Sequence, residues 1–102
     1  MGELVTVAKT SELGPGQAKA VDAKGTPVAI FNVGGTYYAI EDTCPHVGGP
    51  LSEGAVEGTM VTCPWHGAQF DLTSGKVLTP PAAAGVRSYK VRVEGHEIKL
   101  EV

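Results

Sequence analysis

Two short segments concentrate the reactive side chains of this 102-residue chain: Cys44-Pro45-His46 and Cys63-Pro64-Trp65-His66. They hold both cysteines and two of the three histidines. Soft thiolates suit zinc and iron–sulfur clusters, and imidazole suits zinc, iron and copper. Four such donors describe one metal centre built from two similar halves. Two chemistries use that set: a structural zinc with two Cys and two His, or a [2Fe–2S] cluster with Cys on one iron and His on the other. Zinc modules usually keep their cysteines in one knuckle and their histidines in another element. Here each segment brings one of each, and a two-iron cluster explains that division because each segment then reaches both metals.

The flanking sequence must position these segments, and it reads as strands. Fourteen glycines and seven prolines punctuate short runs of Val, Ile, Thr and Tyr, the pattern of an all-β chain. Strands are expected at Leu4–Lys9, Ala18–Asp22, Val28–Val33 and Thr36–Glu41. Gly34-Gly35 joins the last two, since glycines accept the positive φ of a tight hairpin. A second hairpin alternates Tyr89, Val91 and Val93 with charged residues, turns at Gly95-His96, and continues through Ile98, Leu100 and Val102. Such alternation predicts one buried and one wet face. Between the hairpins, short strands are expected at Thr59–Thr62 and Gln69–Leu72. Val77 leads into a stiff segment ending at Pro80-Pro81. One helical turn fits Ser11 to Gly16. The architecture expected is all-β, with antiparallel sheets. A base drawn from both chain ends carries an inserted ligand-bearing lobe of approximately residues 42–82, and the whole 1–102 chain forms one domain.

Composition narrows the function. Eight basic residues against eleven acidic ones give a formal charge of −3, which supplies no basic stripe for nucleic acid. A mild acidic excess is compatible with docking onto a basic protein surface. No stretch reaches the length of a membrane span. The first residues do not read as an export signal, so a cytoplasmic location is expected and a structural disulfide is not. There is no nucleotide-binding glycine motif.

Sixteen residues separate His46 from Cys63. The resulting Cys-x-His, spacer, Cys-x-x-His pattern resembles the Rieske family. The resemblance extends through Gly48-Gly49-Pro50-Leu51, His66-Gly67, Phe70, Gly75 and Pro80-Pro81. It implies a Rieske-like fold and one [2Fe–2S] cluster per chain, with Cys44 and Cys63 on one iron and His46 and His66 on the other. It implies a soluble, monomeric one-electron carrier rather than an enzyme. The donor would be a flavin-dependent NAD(P)H reductase and the acceptor a terminal oxygenase. Two other readings stand beside it: a Rieske small subunit of a larger enzyme such as nitrite reductase, and a zinc-stabilised interaction module. The resemblance also places the histidines at the tip of the lobe, ringed by a docking rim of Val47, Leu51, Trp65 and Pro80-Pro81.

Plainer roles are expected elsewhere. Cys44 and Cys63 could be ordinary core cysteines, but each adjoins a proline and a nearby histidine. Gly48, Gly49, Gly54, Gly58 and Gly67 read mainly as turn residues. Glu41 and Asp42 read as surface charges, His96 as a hairpin-turn residue, and Tyr37 and Tyr38 as one core-facing and one water-facing ring.

The respiratory Rieske proteins carry an additional cysteine pair forming a disulfide, which a chain with two cysteines cannot make. They also place hydroxyls where this chain has Ala68 and Phe70. Hydrogen bonds to cluster sulfurs raise the potential. Their absence predicts a midpoint near the low end of the Rieske span, about −150 mV. A dye-mediated redox titration measures it, and a value in the positive range would refute the assignment to the low-potential class.

Overall fold

The computed structural model describes residues 3–42, 50–64, 67–79 and 85–101. Among these residues, ten strands run in chain order: β1 Leu4–Lys9, β2 Ala18–Ala23, β3 Thr26–Val33, β4 Thr36–Glu41, β5 Ala55–Glu57, β6 Met60–Thr62, β7 Gln69–Asp71, β8 Val77–Thr79, β9 Ser88–Glu94 and β10 Glu97–Glu101. They form two antiparallel sheets. The larger has the order β1-β10-β9-β4-β3-β2 and the smaller β5-β6-β7-β8. The larger sheet draws on both ends of the chain, and the smaller is inserted between β4 and β9, as the residue pattern predicted. No helix among the described residues is long and apolar enough to cross a membrane.

Both glycine turns form where expected. Gly34, Gly35 and Gly95 have positive φ, which lets β3–β4 and β9–β10 fold back with continuous registers from Val28↔Glu41 to Val33↔Thr36 and from Glu97↔Glu94 to Glu101↔Lys90. β3 reads as an unbroken apolar run because it is buried on both faces. Val28 and Ile30 enter one core with Ala8, Leu13, Ala39, Ile98 and Leu100, enclosed as the larger sheet curls so that its edge strands β1 and β2 pack together. Ala29 and Phe31 enter a second core with Ile40, Leu51, Val61, Cys63, Phe70 and Leu72, between the two sheets.

Several expectations need correction. Tyr37 and Tyr38 are both half-buried, one against each core, because neighbouring residues of a strand point to opposite faces and both faces of β4 are covered. Val93 is 44% exposed although it faces the buried Ile98 across the hairpin. β9 pairs with β4 only at Ala39↔Tyr89 and Ile40↔Ser88, so its far end projects past the core. The helical turn near the N-terminus is a 3-10 turn at Thr10–Glu12, with the Lys9 N–H donating to Glu12 Oε1 at 2.9 Å. Val77–Thr79 is a strand rather than only a stiff connection. Strand β5 and a second 3-10 turn, Leu51–Glu53, were not foreseen. β5 is a fully exposed three-residue edge strand, so no apolar alternation marks it. Val102 lies outside the described residues.

The β7–β8 turn is organised by one carboxylate. Asp71 Oδ1 accepts hydrogen bonds from the Thr73 hydroxyl at 2.7 Å and the Thr73 N–H at 2.8 Å. These bonds hold its pKa below the ordinary aspartate range, with Lys76 adding a smaller attraction. A carboxylate whose pKa falls on folding contributes stability above its unfolded pKa and loses it as pH drops through the folded value. Asp71→Asn keeps an acceptor in place without the charge. Urea unfolding across acidic pH should show wild type more stable than the variant at neutral pH, with the gap closing as the pH falls below the aspartate range. A gap that stays constant with pH would count against the charge.

Candidate metal centre

Cys63 immediately follows β6 and is 1% exposed, a free thiol in the core between the sheets. The β6–β7 hairpin brings it there. Registers Met60↔Asp71, Val61↔Phe70 and Thr62↔Gln69 align the two strands. Beyond them the Cys63 N–H donates to the Ala68 carbonyl at 2.7 Å, and the Gly67 N–H donates to the Cys63 carbonyl at 3.1 Å. Gly67 adopts φ +77°, which only glycine takes at little cost, so the six-residue loop can close. The walls near this cysteine are Leu51, Val61, Ala68 and Phe70, all fully buried.

The other three expected ligands, Cys44, His46 and His66, lie outside the described residues, as do Val47, Gly48, Gly49, Trp65, Pro80 and Pro81. The frame around them is described. The chain leaves β4 at Asp42 and re-enters at Pro50 and Leu51. There the Leu51 N–H donates to the Asp42 carbonyl at 2.6 Å, and the Ser52 N–H donates to Asp42 Oδ1 at 2.7 Å. The Asp42 N–H in turn donates to the Pro27 carbonyl at 3.0 Å, anchoring the exit to β3. Asp42 is only 8% exposed, so it is a structural clamp and not the surface charge expected. A buried carboxylate needs donors, and the Ser52 N–H at the far end of the first ligand segment supplies one. Segment 80–84 is bracketed similarly. The Val86 N–H donates to the Gly75 carbonyl at 2.8 Å, and the Arg87 N–H donates to Glu41 Oε1 at 2.7 Å. Glu41 therefore also holds backbone in place.

Leu51 does not belong to an exposed docking rim. It is 0% exposed and packs in the core with Cys63. The sequence placed it close to the first ligand pair but carried no signal for the direction its side chain takes after the 3-10 turn. His96 sits exposed at the β9–β10 turn, where its carbonyl accepts from the Thr10 N–H at 2.9 Å.

Gly54 connects the two ligand segments. Its φ of −77° is open to any residue, so its role is not the turn geometry anticipated. A Cβ there would overlap the Thr62 carbonyl oxygen and meet Val61 Cγ2 at 3.0 Å. The backbone that ends the first ligand segment thus lies directly on the strand that delivers Cys63. Gly54→Ala should force the two apart, lowering unfolding free energy by about 1–3 kcal/mol in urea titrations and altering the visible circular dichroism of the holoprotein. Gly58→Ala, whose φ is +59° with open space around it, should cost about 1 kcal/mol and leave the visible spectrum intact.

The donor set fits an iron–sulfur group. A thiol buried among apolar side chains is offered from a closed turn, and the sequence supplies one more thiol and two imidazoles on flanking segments. The Rieske [2Fe-2S] domain family matches residues 3–90. The 3-phenylpropionate/cinnamic acid dioxygenase ferredoxin subunit of Escherichia coli K12 is 42% identical over 88 residues, covering 85% of this chain and 82% of that one. The biphenyl 2,3-dioxygenase ferredoxin component of Rhodococcus jostii RHA1 is 32% identical over 99 residues, covering 97% and 92%. Among solved structures, the ferredoxin of carbazole 1,9a-dioxygenase from Nocardioides aromaticivorans IC177 superposes with a TM-score of 0.90 at 33% identity, covering 95% of each chain. A chain in a complex of reduced oxygenase and oxidised ferredoxin of carbazole 1,9a-dioxygenase gives 0.88 at 32% identity, covering 96% of this chain and 92% of that one. A zinc module is thereby replaced by an iron–sulfur protein: the chain belongs to the Rieske [2Fe-2S] family, as an electron-carrying ferredoxin that binds a [2Fe–2S] cluster and is not itself a catalyst.

Proposed function

We propose that this chain is the ferredoxin of a ring-hydroxylating oxygenase system, accepting electrons from a flavin-dependent NAD(P)H reductase and delivering them to a terminal oxygenase. The observation that supports it most is the buried Cys63 thiol, held in the closed β6–β7 turn of a chain that matches dioxygenase ferredoxins over nearly its full length. In this reading Cys44 and Cys63 bind one iron, His46 and His66 bind the other, and the chain acts as a cytoplasmic monomer. Residues 1–102 form one domain, with the cluster lobe at about 42–82. The core shared between the sheets supports that unity, because Ala29, Phe31 and Ile40 of the larger sheet pack with Val61, Cys63 and Phe70 of the smaller.

When bound, a [2Fe–2S] cluster takes up and releases a single electron. The chain's residues set the conditions for that. Leu51, Val61, Ala68 and Phe70 exclude water on the Cys63 side. The clamps at Asp42 and Gly54 keep the two ligand segments at a fixed spacing, which limits reorganisation when charge changes. Two imidazoles in place of two thiolates make the ligand set less negative than four cysteines would, so adding an electron costs less Coulomb energy than in an all-cysteine ferredoxin.

The alternative of a permanent subunit, as in nitrite reductase, is separated by co-purification from the native host, where a subunit would remain with a large chain in fixed stoichiometry. For the carrier, the purified protein should be red-brown with two irons and two acid-labile sulfides per chain, as a [2Fe-2S] domain requires. Cys63→Ala should abolish both. Added to a flavin reductase and a ring-hydroxylating oxygenase, wild type should couple NAD(P)H oxidation to hydroxylation, and the variant should not. An intact cluster with no coupling to any such pair would refute the oxygenase assignment.

A further inference from the structure

Of the charged side chains among the described residues, Asp42 alone is buried. Buried carboxylates are rare, because the charged form gives up its hydration and needs a partner in return. The usual partner is a cation. The ion pairs among the described residues join Lys19, Lys24 and Lys99 to carboxylates of the base, and none of them includes Asp42. Its partner is backbone: Oδ1 accepts the Ser52 N–H at 2.7 Å. That bond needs an acceptor oxygen, which an asparagine would offer equally well. The clamp therefore accounts for the acceptor and not for the charge.

Two independent routes put this charge beside the metal centre. Along the chain, Cys44 follows Asp42 by two residues, and two residues of fully extended chain reach only about 7 Å. Through the core, the Asp42 carbonyl accepts the Leu51 N–H at 2.6 Å, and the Leu51 side chain packs in the same buried cluster as Cys63. Asp42 thus stands next to one cysteine in sequence and one packed residue away from the other. Leu51 is fully buried, so the path on that side is apolar and closed to salt ions. A charge in such surroundings is screened far less than one in water.

We propose that Asp42 sets the reduction potential of the metal centre: its buried negative charge repels the incoming electron and holds the midpoint low. The inference rests on the electron-carrier reading. Reduction places one electron, supplied by the donor, on the cluster, so the centre becomes more negative by one charge while Asp42 keeps its own. For a unit charge about 10 Å away, at an effective permittivity of about 20, the repulsion changes the reduction equilibrium roughly tenfold. This acts in addition to the missing hydroxyls at Ala68 and Phe70. Those are a lost stabilisation of the reduced state, whereas Asp42 is an added repulsion.

Protein-film voltammetry of the holoprotein at one fixed neutral pH reads the midpoint, with an electrode as the electron source. Iron content and visible circular dichroism are recorded first for each variant. Asp42→Asn keeps an oxygen for the Ser52 N–H and removes the charge. It should shift the reduction equilibrium about tenfold toward the reduced form, about 59 mV upward for a one-electron couple. The shift should be the same at low and high salt, because the group is buried. Asp42→Glu keeps the charge but displaces the acceptor, and should stay within about threefold of wild type. Glu57→Gln removes an exposed charge opposite Met60, at the hairpin end away from Cys63, and should move the equilibrium less than about twofold. An unchanged midpoint in Asp42→Asn overturns the proposal. So does an equal shift in Asp42→Glu, which would make the clamp the cause, or in Glu57→Gln, which would make net charge the cause. If Asp42→Asn does not retain iron, Asp42→Ser carries the same measurement, as a second neutral side chain with an acceptor oxygen. Iron loss in both makes Asp42 an assembly residue only and also overturns the proposal. A wild-type protein with no reversible one-electron wave refutes the carrier reading, whereas a reversible one indifferent to Asp42 refutes only the tuning.

Discussion

The close approach of Gly54 to the Thr62 carbonyl is the constraint on which the metal centre depends. The four expected ligands lie on two segments separated by more than a dozen residues, and a cluster needs them at one place. Covalent chain alone cannot do this. The Asp42 carbonyl and carboxylate collect the Leu51 and Ser52 amides and close the first segment. The 3-10 turn then delivers Gly54 against β6, which leads directly into Cys63. A side chain at Gly54 would part the two segments where its backbone lies on the Thr62 carbonyl.

This frame is stiff because it is built on buried strands. β3 and β4 are covered on both faces, so they tie the curled larger sheet to the smaller one through a single shared core. Phe31 and Ile40 reach from the base into the same apolar cluster as Cys63 and Phe70. Interiors packed at crystal-like density have low compressibility. Among the described residues, Lys19, Lys24 and Lys99 of the base form ion pairs with carboxylates, whereas Glu53 and Glu57 of the lobe form none.

Much of this was legible in the residues. The Cys–His pairs, their spacing and the surrounding glycines and prolines identify the family because metal ligation demands particular donors at particular intervals. The hairpins at Gly34-Gly35 and Gly95-His96 were legible because positive φ and period-two alternation are local properties. Other features were not. Asp42 beside the first ligand looked like a surface charge, since nothing local says that Ser52 will return to it. Leu51 looked like a rim residue because adjacency to a ligand pair gives no side-chain direction. β5 carries no alternation to detect, since all three of its side chains are exposed.

The sequence by itself determined the family's Cys–His pattern, the all-β character and the lack of any cysteine beyond Cys44 and Cys63, because each follows from residue type and short-range spacing. Only the tertiary structure decided which side chains wall the buried thiol, why Gly54 has no side chain, and where the Asp42 carboxylate lies. Those depend on contacts between residues distant in the chain, and no local rule of propensity or periodicity carries that information.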